Sequence, residues 1–528
     1  MALVLRRLGR VELARTFHRD VRNRNDYFHF AVGRTEAWID ETSPEIPIDN
    51  DSYVSKFRRS MMFTQQIDSA DVCLLAKRVN WATGTVYDEY DDNISSSNQS
   101  FTGASNLADA LFFVVTDEFK VYKCISNNNN GQSTVKPTST GTSVFELADN
   151  YNWKFMFQIS ASDQNKFLDA DFIPVRKLTG NPTHDVTGEV DSITITAGGT
   201  GYTSVPTVVI QGDGDGLAAG TATISGGAVT GVTITASGSG YSFAFITFSG
   251  GGGSGAAGSV NLGDADALPA LQSAVEGAAV SGTLDRVIVT TAGQDYAEND
   301  VQVTVTGDGT GAEASAKVNA ATGAITSVRV TNPGSGYSYA EISIVNTSAP
   351  GTGATARAIV SPQGGHGSNA PRELFANNLG VTVSFADNDN RDLILGNDFR
   401  QIALIKNIKT PAGVVYTTNT ATACHIINVA SVASYAVDDI ITTDDGGSFT
   451  VIQIDSDNKN IYLTSTIPLI TTNSVLTNTT QNISNLSINS ITEPEVDNAT
   501  GEVIYLDNRS PVIRSADQVE QIKALIRF

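Results

Sequence analysis

The chain has 528 residues, 47 of them glycine, only 17% charged, and a formal net charge of −22. Such an acidic chain is repelled by nucleic acid and anionic membrane except through a local patch, and no run approaching 18 consecutive apolar residues is present to span a bilayer. Cys73, Cys124 and Cys424 are odd in number and far apart, so they set no disulfide framework and no paired-cysteine metal motif, and they fit a reducing compartment.

Residues 1–26 are polar and partly helical in pattern. Up to Arg24 they carry Arg6, Arg7, Arg10, Arg15, Arg19, Arg22 and Arg24 against Glu12 and Asp20. This basic arm is expected to dock on an acidic protein surface. Tyr27–Val32 reads as a strand ending at Gly33, Arg34 and Trp38, followed by an acidic loop through Pro44 and Pro47. Asp51–Phe63 predicts a short helix and Val72–Arg78 a strand. Asp88, Glu89, Asp91 and Asp92 cluster around Tyr87 and Tyr90. Leu111–Val115 and Phe119–Ile125 form a predicted hairpin with its turn at Thr116–Glu118. Aromatic residues, Trp153 among them, alternate along Tyr151–Ile159, which makes that stretch a strong strand. Ser160 opens a helical turn, and Phe172–Val175 closes the region.

Between Gly188 and Val360 the composition changes to Gly, Thr, Ser, Ala and Val, and a signature recurs. It reads Gly-Thr-Gly-Tyr202, Gly-Ser-Gly-Tyr241, Gly-Gln-Asp-Tyr296 and Gly-Ser-Gly-Tyr337. The tyrosines are 39, 55 and 41 residues apart. Four copies at a loose period are an internal repeat. Before each signature runs a strand of alternating β-branched residues, and another follows it. Glycine permits the tight turn, and the tyrosine returns to cover a small apolar face with its hydroxyl kept wet or paired. One copy is too small to bury a core alone, so the copies are expected to pack on one another or on the flanks. Ala265–Gly277, in the longest gap, reads as a short helix.

Glu373–Asn378 predicts a further helix, and Val381–Phe385 and Asn397–Ile405 predict strands, the last containing Arg400. A second β-rich module covers 424–491. The chain closes on Gly501–Tyr505, Arg509, Pro511 and a final Phe528.

Signs of catalysis are sparse. His18, His29, His184, His366 and His425 form no HExxH motif, and neither a GxSxG elbow nor a phosphate-binding glycine loop occurs. Most acids lie in Asp/Gly/Asn turns, where turn chemistry accounts for them. Gly-Asp213-Gly-Asp215-Gly and Gly-Asp308-Gly resemble oxygen-rich calcium loops, but calcium needs several converging carboxylates, and turns are the better reading. His366, between glycines, reads as a turn residue without a partner. Arg509 suits a bidentate ion pair in an interface better than a phosphate clamp. Neither catalytic residues, a resident metal nor a cofactor are expected.

Five segments resemble a known family when read together. They are Phe30–Trp38, Val121–Cys124, Tyr151–Ile159, Phe399–Ile402, and the tail from Gly501 through Asn508-Arg509-Ser-Pro511 and Asp517-Gln518 to Phe528. In this order they resemble the baseplate wedge subunit of T-even-type contractile-tailed bacteriophages, a dimer of β-sandwich protomers. The resemblance covers roughly residues 25–180, 370–410 and 500–528. It implies a non-enzymatic virion protein of the tail baseplate, assembled in the host cytoplasm. That protein would be a homodimer touching other baseplate wedge subunits and helping to hold the baseplate until it rearranges for sheath contraction. It also implies that Gly33, Arg34, Trp38, Trp153, Arg400, Arg509 and Pro511 are framework or interface positions.

The expected fold is mainly β: a discontinuous β-sandwich core with an inserted repeat β-domain and a smaller inserted β module. Residues 1–187 are the first part of the core with the basic arm, and 188–363 the inserted repeats. Residues 364–423 continue the core, 424–491 are the small module, and 492–528 complete the core. The family has no counterpart of the repeats, so their removal is expected to leave a folded dimer. The alternative is a tail adhesin, a glycan-binding protein whose Tyr202, Tyr241, Tyr296 and Tyr337 stack on sugar rings.

Overall fold

The structure, a computed structural model, describes residues 6–23, 26–34, 36–67, 71–178, 189–212, 216–236, 238, 241, 244–263, 267–348, 351–385, 398–464, 470–513 and 520–528. Strands take up 47% of the residues and helices 9%, so the fold is mainly β, in several antiparallel sheets. The chain divides into two compact units. One comprises Met1–Thr16, Cys73–Gly380 and Leu525–Phe528; the other comprises Phe17–Val72 and Val381–Ala524. Residues 73–187 therefore fall in the same unit as the repeats.

In the first unit, strands Phe113–Val115, Lys120–Asn127, Tyr151–Gln158 and Phe145–Glu146 lie side by side in that order. Alternation along Tyr151–Gln158 puts Tyr151, Trp153 and Phe155 on one face, where they meet Tyr87, Val114, Tyr122 and Cys124 in a closed cluster. The helix Ala267–Gly277, which arises between the second and third repeat copies, lies against the strand Tyr151–Gln158. Its Val275 is fully buried in the same cluster.

The repeats pair off. Copies one and two supply β1 (Glu189–Thr200), β2 (Thr207–Gly212), β3 (Ala219–Ser225), β4 (Ala228–Ala236), β5 (Ala244–Ser249) and β6 (Ser254–Gly263). Copies three and four supply β7 (Leu284–Gln294), β8 (Val301–Gly307), β9 (Thr310–Val318), β10 (Ile325–Ser335), β11 (Ala340–Asn346) and β12 (Thr352–Val360). The second set forms one sheet in the order β8-β11-β12-β7-β10-β9, and β9 comes back beside β8 to curl it toward a barrel. The first set follows the same plan: β2-β5-β6-β1 in one sheet and β3-β4 in another, with β4 beside β1 and β3 beside β2. Exchanging the two copies of a set maps each neighbour pair onto another, so each barrel is an internal pseudo-dimer of three-stranded units. One copy cannot close a core, but two can.

The tyrosines interlock each pair. Tyr202 of copy one covers Gly253, which leads into the last strand of copy two, and Tyr241 of copy two accepts a hydrogen bond from Ala218 N of copy one at 3.4 Å. Tyr296 covers Gly351 and accepts from Ala354 N at 3.2 Å, whereas Tyr337 covers Gly309 and accepts from Ala312 N at 3.3 Å. These rings are lids, with exposures of 0–6%. A methyl group on Gly309 would lie 2.4 Å from the Tyr337 ring and 2.6 Å from its backbone nitrogen. Gly309→Ala is therefore expected to destabilise the second barrel by about 1–3 kcal/mol, the usual range for overpacking, read as a lowered melting temperature.

Both barrels begin and end at neighbouring points. Glu189 pairs with Gly263 across β1 and β6, and Leu284 pairs with Val360 across β7 and β12. Each barrel thus has the adjoining ends expected of an insertion. The helix between them does not share that independence, because it carries Val275 into the aromatic core.

In the second unit a five-stranded sheet runs Thr420–Thr422, Met61–Gln66, Phe28–Gly33, Asp398–Lys406, Glu502–Ile513. Its core includes Ala31, Phe57, Met61, Ala403 and Ile405. The helix predicted over Asp51–Phe63 stops at Ser60, and Met61–Gln66 is a strand buried along most of its length. A short apolar run does not distinguish helix from buried strand by periodicity. The helix predicted at Glu373–Asn378 in the first unit lies earlier, at Ala370–Glu373, because Asn369 caps it and Pro371 suits its first turn. The small module is a seven-stranded sheet from His425–Asn428 to Ser490–Thr492. It has its own core of Ile427, Ile441, Phe449, Val451, Ile461, Leu463 and Leu476.

Two buried histidines give the second unit an acid sensitivity. Burial pulls His29 and His425 down to about 4 each, and both side chains are fully enclosed. A base depressed in the folded state is neutral there, while the unfolded chain binds its proton from about pH 6.5 downward. Stability is then full above that value and is lost as pH falls toward 4, by about 3 kcal/mol per histidine. Urea titrations at pH 7 and pH 4.5 are expected to show this loss, and His425→Phe is expected to reduce it.

Candidate functional site

The residues singled out by resemblance gather mainly at one end of the five-stranded sheet. Phe28–Gly33 delivers Gly33 opposite Gln401 on the strand Asp398–Lys406. A Cβ on Gly33 would lie 2.9 Å from Ser60 Oγ and 3.1 Å from the Phe57 ring, so the close approach requires glycine. Arg34 follows and donates from Nε to Asp398 Oδ1 at 2.6 Å, and its two terminal nitrogens grip Asp438 of the small module. Burial by itself would lower the Arg34 guanidinium, but the two carboxylates outweigh it and hold the group above its ordinary value.

Asp398 is shared. Its Oδ2 meets Arg400 Nη1 at 2.6 Å, and Arg400 Nε reaches Glu41 at 3.4 Å. Glu41 accepts the backbone N–H of Trp38 at 3.2 Å, and the Trp38 indole N–H donates to Arg509 O at 2.8 Å. On the strand Glu502–Ile513, Val512 pairs with Phe399 and Asn508 with Gln401, which leaves Arg509, Ser510 and Pro511 opposite Arg400 alone. This is a bulge. Proline has no N–H to give a ladder and is tolerated there. The bulge also blunts an edge strand that would otherwise invite pairing. Arg509 is 45% exposed and pairs with Asp507 at 3.0 Å.

Gly33, Arg34, Trp38, Arg400, Arg509 and Pro511 are thus brought together. Trp153 is not among them: it is fully buried in the aromatic cluster of the first unit, stacked on Tyr151 at 5.5 Å. Sequence reasoning did not find Glu41, Asp398 or Asp438, and it quoted Asn508 in the tail segment without giving it a role. Asn508 is 8% exposed, accepts from Gln401 Nε2 at 2.9 Å and donates to Glu45 O at 2.6 Å. Asp398 adjoins the Phe399-Arg400 segment, which was a local signal; Asp438 lies in the module and had none. Arg34→Ala removes the bond to Asp398 and the clamp on Asp438. It is expected to destabilise the second unit by about 1.5–3 kcal/mol, the range for bonds to charged groups, checked by urea denaturation.

A second polar constellation lies within the first unit. The acids around Tyr90 receive two arginines of the second barrel. Arg286 on β7 pairs with Glu89 and donates to Tyr90 O at 3.0 Å. Arg357 on β12 makes a bidentate pair with Asp91, one bond of 2.8 Å. Burial works to raise the Asp91 carboxyl, but the arginine overrides it and holds it below its ordinary value. His366, expected to be a turn residue without a partner, has one: its Nε2 lies 2.6 Å from Asp285 Oδ2 on β7. The flanking Gly364, Gly365 and Gly367 do take positive φ near 90°. Burial and the nearby Lys123 ammonium lower His366, so the neutral ring donates to Asp285. Lys123 Nζ lies 3.0 Å from Glu373 Oε2 and 4.1 Å from the centre of the Tyr90 ring. Glu373 Oε1 also accepts from Gly367 N at 2.9 Å and Asn369 N at 3.1 Å. Lys123 and Glu373 side chains are 0% and 2% exposed. The cluster is a closed socket that fastens the barrel, with its charges turned on one another.

Of the weak calcium candidates, Asp213 and Asp215 lie outside the described residues. Asp308 accepts from Ser338 N at 2.8 Å and Tyr339 N at 3.2 Å, which makes it a turn cap beside the Tyr337 lid. Among the described residues no group of three or more His, Cys, Asp or Glu side chains is placed to hold a metal, and no helix is long and apolar enough to cross a membrane. A scan against protein-family models matched none, and a search of curated proteins found no match.

Proposed function

We propose that this chain is a structural wedge subunit of a contractile phage tail baseplate. It acts as a homodimer that links neighbouring wedge proteins during assembly and up to the rearrangement that precedes sheath contraction. The reading rests on resemblance, and one observation supports it. Gly33, Arg34, Trp38, Arg400, Arg509 and Pro511, drawn from segments up to 471 residues apart, meet at one sheet end, where hydrogen bonds and ion pairs link Arg34, Trp38, Arg400 and Arg509. Such a network suits a rigid attachment point. Ile39, which directly follows Trp38, is 100% exposed, and Ile46 and Ile48 on the same loop are 87% and 57% exposed, as an unoccupied interface would require. The glycan-binding alternative needed free tyrosine faces, and the four repeat tyrosines are buried lids.

The test is reassembly. A chain carrying Ile39→Asp and Ile46→Asp is expected to fold but to lose incorporation into wedges reconstituted from the other baseplate subunits. Full incorporation of that variant would exclude this loop from the assembly contacts.

A further inference from the structure

Lys120, Lys136 and Lys406 pair with Glu118, Asp117 and Asp26 where water reaches them. Lys123 and Glu373 pair where it does not, for both side chains are enclosed. Alternation along the strand Lys120–Asn127 turns Lys123 away from Tyr122 and Cys124 of the aromatic cluster. Its Nζ lies against the Tyr90 ring and 5.8 Å from the centre of the Phe112 ring. Lys154, its cross-strand neighbour, donates to Thr142 O instead. The two oxygens of Glu373 are held differently. Oε1 accepts from two backbone N–H groups, those of Gly367 at 2.9 Å and Asn369 at 3.1 Å, whereas Oε2 faces the Lys123 Nζ at 3.0 Å.

This arrangement holds the parts of an acyl transfer. Both ions pay for leaving water, and one proton passed along the 3.0 Å bond turns them into a neutral amine and a neutral acid, which a dry site favours. Burial already lowers the Lys123 ammonium. The free amine is a nucleophile. The carboxyl carbon beside it has one oxygen aimed at two fixed N–H donors, which is the geometry that stabilises an oxyanion. Strand and loop hold the two groups in contact, so no encounter step is needed. Exclusion of water protects the product from hydrolysis. An arginine would pair equally well here but could not react, because its guanidinium does not give up a proton.

We infer that Lys123 and Glu373 form a self-condensing modification site, which closes after folding into an amide between Lys123 Nζ and Glu373 Cδ. The ion pair is the reactant. The ammonium gives one proton to Oε2, and Nζ then bonds to Cδ while Oε1 carries the negative charge against the N–H groups of Gly367 and Asn369. A second proton passes from Nζ to Oε2, the Cδ–Oε2 bond breaks, and Oε2 leaves as water. Of the three protons on the ammonium, one stays on nitrogen and two leave in the water, so neither oxidant nor co-reactant is required. The product keeps Oε1 on its backbone donors and removes both buried charges. It joins positions 250 residues apart, and both barrels, within 189–360, lie inside the closed loop. Unfolding then leaves the chain tied at the base of the barrels, with less conformational freedom to gain.

The experiment is intact-mass spectrometry and tryptic mapping of the full chain, sampled over several days at neutral pH after folding. Wild type is compared with Lys123→Arg and with the double variant Lys123→Met, Glu373→Leu, whose folding is checked by circular dichroism. The wild type is expected to lose the mass of one water progressively and to yield a branched peptide joining positions 123 and 373. Its denatured form should also migrate differently in a gel, as a looped chain. Both variants are expected to keep their full mass. The wild-type mass is decisive even where a variant fails to fold. A wild type that retains its full mass throughout overturns the inference. So does a water loss that maps elsewhere, to Lys154 or to the Asp308-Gly309 turn, or an equal loss in the double variant.

Discussion

Replacing residues 284–360 with a short linker is expected to abolish cooperative folding of the first unit. The ends can be joined, because Leu284 and Val360 are ladder partners. The loss lies in the socket. Without β7 and β12, Glu89, Asp91 and His366 lose Arg286, Arg357 and Asp285. Each charge-assisted contact contributes about 1.5–3 kcal/mol, and the three together approach the whole stability of a typical domain, about 5–15 kcal/mol. Removing the first barrel between Glu189 and Gly263 is expected to leave a cooperative transition in the remainder, since its core of Val190, Ile210, Tyr241 and Ile246 is its own. Differential scanning calorimetry distinguishes the two deletions. The expectation from sequence, that all of 188–360 can be removed without harm, gives way to this division, because such a deletion also takes Val275 from the aromatic core.

Glu373→Ala is expected to destabilise the first unit by about 3–5 kcal/mol, since it leaves a buried ammonium without its carboxylate. Lys123 has no exposed surface, and burial already lowers its ammonium below the ordinary lysine value. Gly367 and Asn369 also lose the acceptor of their backbone N–H groups. The paired replacement Lys123→Met with Glu373→Leu is expected to recover much of the loss, because it removes both desolvation penalties together. Glu373→Gln should fall between, keeping an acceptor for the two backbone donors but leaving the ammonium uncompensated. Urea titrations of the three variants give the order. Equal destabilisation by the single and double variants would mean that shape, and not charge, holds this site.

Legibility in the sequence followed apolar pattern. The aromatic strand Tyr151–Gln158 and the first two strands of each repeat were readable because β-branched or aromatic residues alternate there. The third strand of each copy was not: Ser254–Gly263 and Thr352–Val360 are mostly Gly, Ala, Ser and Thr, with little apolar contrast between faces. The pairing of copies left one trace, the longer gap between Tyr241 and Tyr296 that holds the helix Ala267–Gly277. At the sheet end, Arg34 and Arg400 were found by resemblance, and no local pattern joins them to Asp438 or Glu41. Ion pairs over such separations are set by the closed fold. The acids of 87–92 were visible as a cluster, but the arginines that fill it stand alone in Thr/Val/Ala strands.

The most direct measurement is a cryo-EM reconstruction of the isolated contractile tail proposed to carry this chain. The expected result is two copies per wedge, with the 36–49 loop covered by other subunits. A baseplate that lacks the chain, or holds it as a peripheral monomer with the Trp38–Arg509 end in solvent, would contradict it.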